Sequence, residues 1–319
     1  MNVLLWHVHG SWTTSFVQGK HTYLLPCVAD RGPDGRGRAR TWDWPSSAVE
    51  CSPDELADAE IDVVIVQRGA ELELARRWLG GRRPGLDVPL VWLEHNSPQG
   101  RIADMRHPAA DHSATVLVHI THTNDLFWDA GRVPTVVIEN GIPDPGHRYE
   151  GDVDACAVVM NEPRRRGRVV GADLLPRFAR TAPLDLYGMG VSELAVSFGD
   201  EAPVTFDDDV PQALMHERIA HRRCYLHPFR WTSLGMALVE AMTLGMPVVG
   251  LATTDAPDVV SRDCGFISND VDLLCSAIDR FRTDPELARE LGTNARRRAL
   301  DRFGLRRYLQ DWDRLLEAL

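Results

Sequence analysis

Short runs of Val, Ile and Leu alternate with stretches of helical periodicity along most of the chain. Runs that are apolar at nearly every position predict strands buried on both faces of a parallel sheet. In the first half they fall at 3–8, 62–67, 90–94, 114–120 and 135–138. In the second half they fall at 155–160, 184–187, 204–206, 224–227 and 247–251. Helical spacing marks 70–79 in the first half, and 171–180, 211–221, 234–244 and 272–282 in the second. Each half therefore reads as an α/β layer structure. The chain ends on a stripe of Tyr308, Leu309, Trp312, Leu315, Leu316 and Leu319 at helical spacing. The stripe fits packing within the second half and a return to the first equally well.

Pro143, Pro145, Gly141, Gly146 and Gly151 cluster between the halves and read as a linker. The predicted division is 1–146, 147–302 and a terminal helix over 303–319. A chain of 319 residues matches two domains of about 150 residues each. Its net charge of −11 argues against nucleic acid or an anionic membrane as partner, because both need clustered positive charge. The basic, Gly-containing stretch 31–40 reads as a solvated loop. No apolar run reaches transmembrane length, and the first residues read as a strand rather than a signal peptide. Six cysteines without a C-x-x-C pair suit reduced thiols in a cytoplasmic protein.

The richest segment runs from Pro228 to Val249. It reads as a polar turn, a helix, a Gly stop and a buried strand. A turn feeding a helix N-terminus offers free N–H groups and a positive dipole end, which suits a phosphate. Glu240 lies roughly two helical turns beyond Thr232. The segment resembles the E-x7-E region of retaining glycosyltransferases of the GT-B fold, family 4. Glu240-Ala241-Met242 and Gly245-Met246-Pro247-Val248-Val249 match the second half of that pattern, while Thr232 stands where the first Glu is usual. The run from Val136 to Ile142 resembles the signature that closes the first domain in the same family.

The resemblance implies two Rossmann-like domains facing a cleft, with the last helix crossing back to the first. It implies transfer of a hexose or heptose from a nucleoside-diphosphate sugar, with retention and with no cofactor or metal. Small-molecule donor and acceptor would be the partners of a monomer or homodimer, and a soluble acceptor is favoured. Arg166 falls at the diphosphate-binding Lys position of the family, and Arg164 or Arg165 would supply the charge lacking at Asn161. Gly188 would border the donor, Leu234 and Gly235 would give N–H groups to phosphate, and Glu240 would take the ribose hydroxyls. Thr232 and Ser233 either face the sugar or cap the helix. Gly10, Ser11 and Trp12 occupy the place of the family's Gly-rich loop, with Trp12 stacking on a sugar or covering the cleft. His95 either touches the donor sugar or is structural. His95, Arg166 and Thr232 are the expected catalytic group. Metal sites built on His7 and His9, or on His119, His122 and Asp125, are disfavoured because the pattern is not a helical H-E-x-x-H and no cysteine pair supports it, and Asp207–Asp209 reads as a solvated turn at a helix entrance. An epimerase or hydrolase, or a non-catalytic binder of sugar nucleotides, are the competing readings.

Overall fold

The computed structural model describes residues 1–40, 42–112, 115–199 and 202–319. The chain forms two compact units, Met1–Pro143 with Leu305–Leu319, and Asp144–Gly304. The first holds a seven-stranded sheet of β1 (Asn2–Leu5), β2 (Thr22–Pro26), β3 (Ala48–Cys51), β4 (Val63–Val66), β5 (Leu90–Glu94), β6 (Thr115–His119) and β7 (Thr135–Val137), in the order β3-β2-β1-β4-β5-β6-β7. The second holds β8 (Val153–Val159), β9 (Leu184–Tyr187), β10 (Val204–Asp207), β11 (Arg222–His227), β12 (Val248–Gly250) and β13 (Gly265–Ile267), in the order β10-β9-β8-β11-β12-β13. Every strand pairing in both sheets is parallel.

Each sheet grows outward in both directions from its first strand. The order therefore reverses at β1/β4 in the first unit and at β8/β11 in the second. Loops leaving the carboxyl ends of strands diverge at such a point and leave a crevice. The central strands are buried on both faces, as their unbroken apolar runs predict: Val63–Val66 and the inner part of β8 are fully enclosed.

Three strands escaped the sequence reading. Thr22–Pro26 ends in proline, Ala48–Cys51 is short with Glu50 and a half-exposed Val49, and Gly265–Ile267 is a three-residue edge. None carries the apolar run that marks a central strand. The helix expected at 171–180 is instead a series of short turns, Gly167–Val170, Ala172–Leu174 and Leu175–Phe178. Left-handed Gly171 and Pro176 interrupt it. Ala114, the first residue of one predicted strand, lies outside the described residues.

The final helix, Leu305–Leu316, belongs to the first unit. Tyr308, Trp312 and Leu316 are buried in the core that also holds Trp12, Phe16 and Tyr23. The Trp312 ring lies 4.9 Å from Phe16 and 5.8 Å from Trp12. Stretch 31–40 is anchored rather than merely solvated. Arg31 forms a bidentate pair with Glu50 at 2.8 Å, and Arg38 donates to the carbonyls of Trp44, Pro45 and Ala48.

Candidate functional site

In the second unit the β8/β11 crevice is bordered by two loops, one leaving β8 through Gly171 and one leaving β11 through Gly235. They are bonded into one platform. The N–H groups of Arg230 and Trp231 donate to Val169 O at 2.9 and 3.2 Å. The Arg230 guanidinium donates to both Asp173 oxygens, at 2.5 and 2.9 Å, and to Arg168 O at 2.9 Å. Gly171 has φ +73°, and a Cβ there would sit 1.9 Å from Pro228 O. Only glycine lets these backbones approach so closely.

Arg166 ends the short helix Pro163–Arg166 on this platform and is partly buried. Its Cζ lies 6.0 Å from the Phe229 ring centroid, and Phe229 stacks on His227 with centroids 4.5 Å apart. Its side chain makes no hydrogen bond or ion pair among the described residues. Burial first, and then neighbouring Arg165, lowers its pKa, but a guanidinium remains charged in a protein. The result is a half-desolvated cation without a counter-ion, which favours an incoming anion. Arg164 and Arg165 differ. Both are exposed, Arg165 paired with Glu162 and Arg164 4.0 Å from Glu193.

The helix after β11 runs Met236–Leu244, two residues later than expected, because Gly235 is the extended N-cap. No side chain caps it. Thr232 and Ser233 therefore precede the cap position, which corrects the capping alternative. Leu238 N donates to Gly235 O at 3.0 Å, while the N–H groups of Met236 and Ala237 have no partner among the described residues and are open to a ligand. Thr232 is partly buried, while Ser233 and Leu234 are buried. Beneath the turn His227 is buried, and its Nδ1 has no hydrogen-bond partner among the described residues. Burial holds its pKa down to about 3, so the ring is neutral.

Glu240 is buried within the helix. Its Oε1 accepts from Gln212 Nε2 at 3.0 Å, and its Oε2 lies 3.2 Å from His216 Nε2. Each carboxylate oxygen keeps a second lone pair, enough for two hydroxyls. Gln212 and His216 were missed in the sequence. They sit four apart on helix Gln212–Ala220, a spacing that puts both on one face, but nothing in the sequence links that face to Glu240. Gly188 (φ +127°) follows β9, and a Cβ there would lie 2.2 Å from Met160 O. Asn161 Oδ1 accepts from Met189 N at 3.0 Å, tying the β8 and β9 ends together.

The first unit's β1/β4 point carries a different set. His95, just past β5, is partly buried, with Nε2 2.9 Å from Gln67 Oε1 and its ring 4.1 Å from that of His9. Burial, with His9 adding to it, keeps His95 well below the ordinary imidazole pKa. Gln67 Nε2 in turn donates to Trp6 O at 2.9 Å. Trp12 is a correction. Its ring is 2% exposed, stacked on Phe16 at 4.8 Å, and leaves no face for a sugar. Gly10 lies under Trp42, where a Cβ would fall 1.9 Å from the indole. Ser11 is partly buried in the short helix Gly10–Phe16.

The histidine pairs do not converge. His7 Nδ1 meets Gly37 O at 3.1 Å, while His9 faces His95. His119 is buried and His122 exposed. Asp207 ends β10 and pairs with Arg218 at 2.8 Å, and Asp208–Asp209 form the following turn.

Residues 191–298 match the family model described as Glycosyl transferases group 1. No curated protein matches the sequence. Among solved structures the chain is similar to a sucrose-phosphate synthase from Thermosynechococcus elongatus, at 13% identity and a TM-score of 0.76, covering 100% of this chain and 98% of that one. It is similar to Anabaena HepE in complex with UDP at 16% identity and a TM-score of 0.72, covering 100% of both chains. It is similar to a mutant of S. aureus TarM in complex with Fondaparinux, alpha-GlcNAc-glycerol and UDP, at 12% identity and a TM-score of 0.63, covering 80% of this chain and 55% of that one. The fold is GT-B, with two Rossmann-like units, and the segment that matches the family model lies within the second unit. No helix among the described residues is long and apolar enough to cross a membrane.

Proposed function

We propose that the protein transfers a sugar from a nucleoside-diphosphate donor to a small-molecule acceptor, with retention of configuration. The observation that carries this reading is the β8/β11 crevice. It combines Arg166, a cation without a counter-ion, with the uncapped start of helix Met236–Leu244 and with Glu240 held by Gln212 and His216. The diphosphate would lie between Arg166 and the helix start, and the ribose hydroxyls would meet the free lone pairs of Glu240. Neutralising the diphosphate makes it a better leaving group. Its departing oxygen would take the acceptor proton on the same face, so no dedicated base is needed. The protein then contributes charge stabilisation and alignment.

Neutral His95, beside His9 and Gln67, is the first unit's candidate for hydrogen bonding to the transferred sugar. Thr232 would supply one hydroxyl where the resembled family has a carboxylate. HepE and TarM were solved with UDP, so uridine diphosphate is the first nucleotide to test. The reading predicts stabilisation by one nucleoside diphosphate in thermal-shift assays. It also predicts sugar transfer that Arg166→Ala and Glu240→Ala each abolish. Full activity in both variants would sink it. Thr232 keeps a second reading open, binding of a sugar nucleotide without transfer. Tight binding with no turnover across a donor and acceptor panel would favour that one.

A further inference from the structure

The first unit holds a cavity of about 460 Å³ lined by His7, Asp30, Arg31, Arg36, Arg38 and Arg40. It opens beside the carboxyl end of β1, two residues from His9, whose ring faces His95. Its charge is unusual in a chain of net charge −11. Arg31 is neutralised by Glu50, while Asp30 accepts from Gly32 N at 3.0 Å and keeps its negative charge, so the three remaining guanidinium groups outnumber it. Arg38 is spent on backbone carbonyls, which leave its charge uncancelled. Arg36 and Arg40 are exposed and make no side-chain hydrogen bond or ion pair among the described residues. Arg36 also lies close enough to His7 to help lower the pKa of that imidazole, after the larger effect of burial.

The loop is held in place at both ends. Gly37 N donates to Pro26 O at 2.9 Å and Val28 N to Gly35 O at 2.9 Å. The His7 ring packs 4.8 Å from Trp44. A fixed loop that presents two uncommitted guanidinium groups and an imidazole to one cavity is suited to a dianion more than to a single carboxylate, which one guanidinium can satisfy.

We propose that this cavity binds a phosphate monoester on the acceptor, so that the acceptor is a phosphorylated small molecule. The inference rests on the transferase reading above for the word acceptor; the phosphate site itself does not. The test uses the full chain, the nucleotide sugar whose diphosphate binds, and matched sugars or polyols with and without a phosphate monoester, plus carboxylated counterparts. The phosphorylated member is expected to show a KM lower by about tenfold or more. The R36A/R40A double variant should lose that preference while keeping its affinity for the nucleoside diphosphate. Equal use of all members, equal use of the carboxylated one, or a preference that survives in the double variant would overturn the proposal. Failure of the transferase reading would appear separately, as no nucleoside diphosphate binding. Inorganic phosphate then decides the site alone. Saturable shifts of the His7 ring signals in NMR, absent in R36A/R40A, support it, and no shift in the wild type overturns it.

Discussion

The two crevices of this chain share a topology and differ in chemistry. Both sit where a parallel sheet reverses its order, β1/β4 in one unit and β8/β11 in the other. The second unit's crevice holds a cation without a counter-ion, an uncapped helix start and a buried carboxylate. The first unit's holds neutral hydrogen-bonding rings, with the basic cavity to one side. On the proposed reading, the fold sets where ligands bind and a few side chains at each crevice set which charge it accepts. Trp12 makes the same point from the opposite side. It follows the first strand, at a place where the sequence invites a ligand role, yet the first unit uses it as core.

The largest expected effect tests that contrast. Trp12→Ala should cost about 3–5 kcal/mol of stability through the cavity left against Phe16 and Trp312, measured by chemical denaturation. Loss of substrate affinity at full stability would instead make Trp12 a binding residue. Gly171→Ala comes next. It places a Cβ against Pro228 O in a left-handed conformation. It should destabilise the second unit by roughly 1–3 kcal/mol and weaken nucleotide binding with it. Unchanged stability and affinity would mean that the two loops are not locked together.

The buried histidines give a pH test. His227 is depressed to about 3 and His119 to about 4, both mainly by burial. Both rings are neutral in the folded state, whereas unfolded histidines take up protons below about 6.5. Stability should therefore be full above pH 6.5 and fall as the pH drops toward 4 for His119 and toward 3 for His227. The slope per ring is roughly 1.4 kcal/mol per pH unit. In His227→Gln the slope for the second unit should flatten by one ring's worth. An unaltered slope would show that the ring does not stay neutral on folding. The smallest expected effect on nucleotide binding is that of Thr232→Glu. Affinity for the nucleoside diphosphate should stay within about threefold, while the choice of donor sugar changes. A large loss of nucleotide affinity would place Thr232 on the nucleotide side.

The sequence exposed what depends on local pattern. The central strands are unbroken apolar runs, and the turn–helix–Gly–strand order around Glu240 follows from punctuation alone. Edge strands such as Ala48–Cys51 and Gly265–Ile267 are too short and mixed to show a period. The partners of Glu240 come from another helix, so their relation to it is a product of packing. The burial of Trp12 depends on Trp312, three hundred residues away in sequence. Stretch 31–40 looked like a free loop because its tethers, Glu50 and the carbonyls of Trp44, Pro45 and Ala48, lie beyond it.

The central claim is that the β8/β11 crevice is the nucleoside-diphosphate site. Isothermal titration of uridine diphosphate and its adenine and guanine counterparts into the wild type, Arg166→Ala and Glu240→Ala tests it most directly. One nucleotide should bind the wild type, and each variant should lose about tenfold or more of that affinity with its folding unchanged. Binding of equal strength in all three proteins would contradict the account.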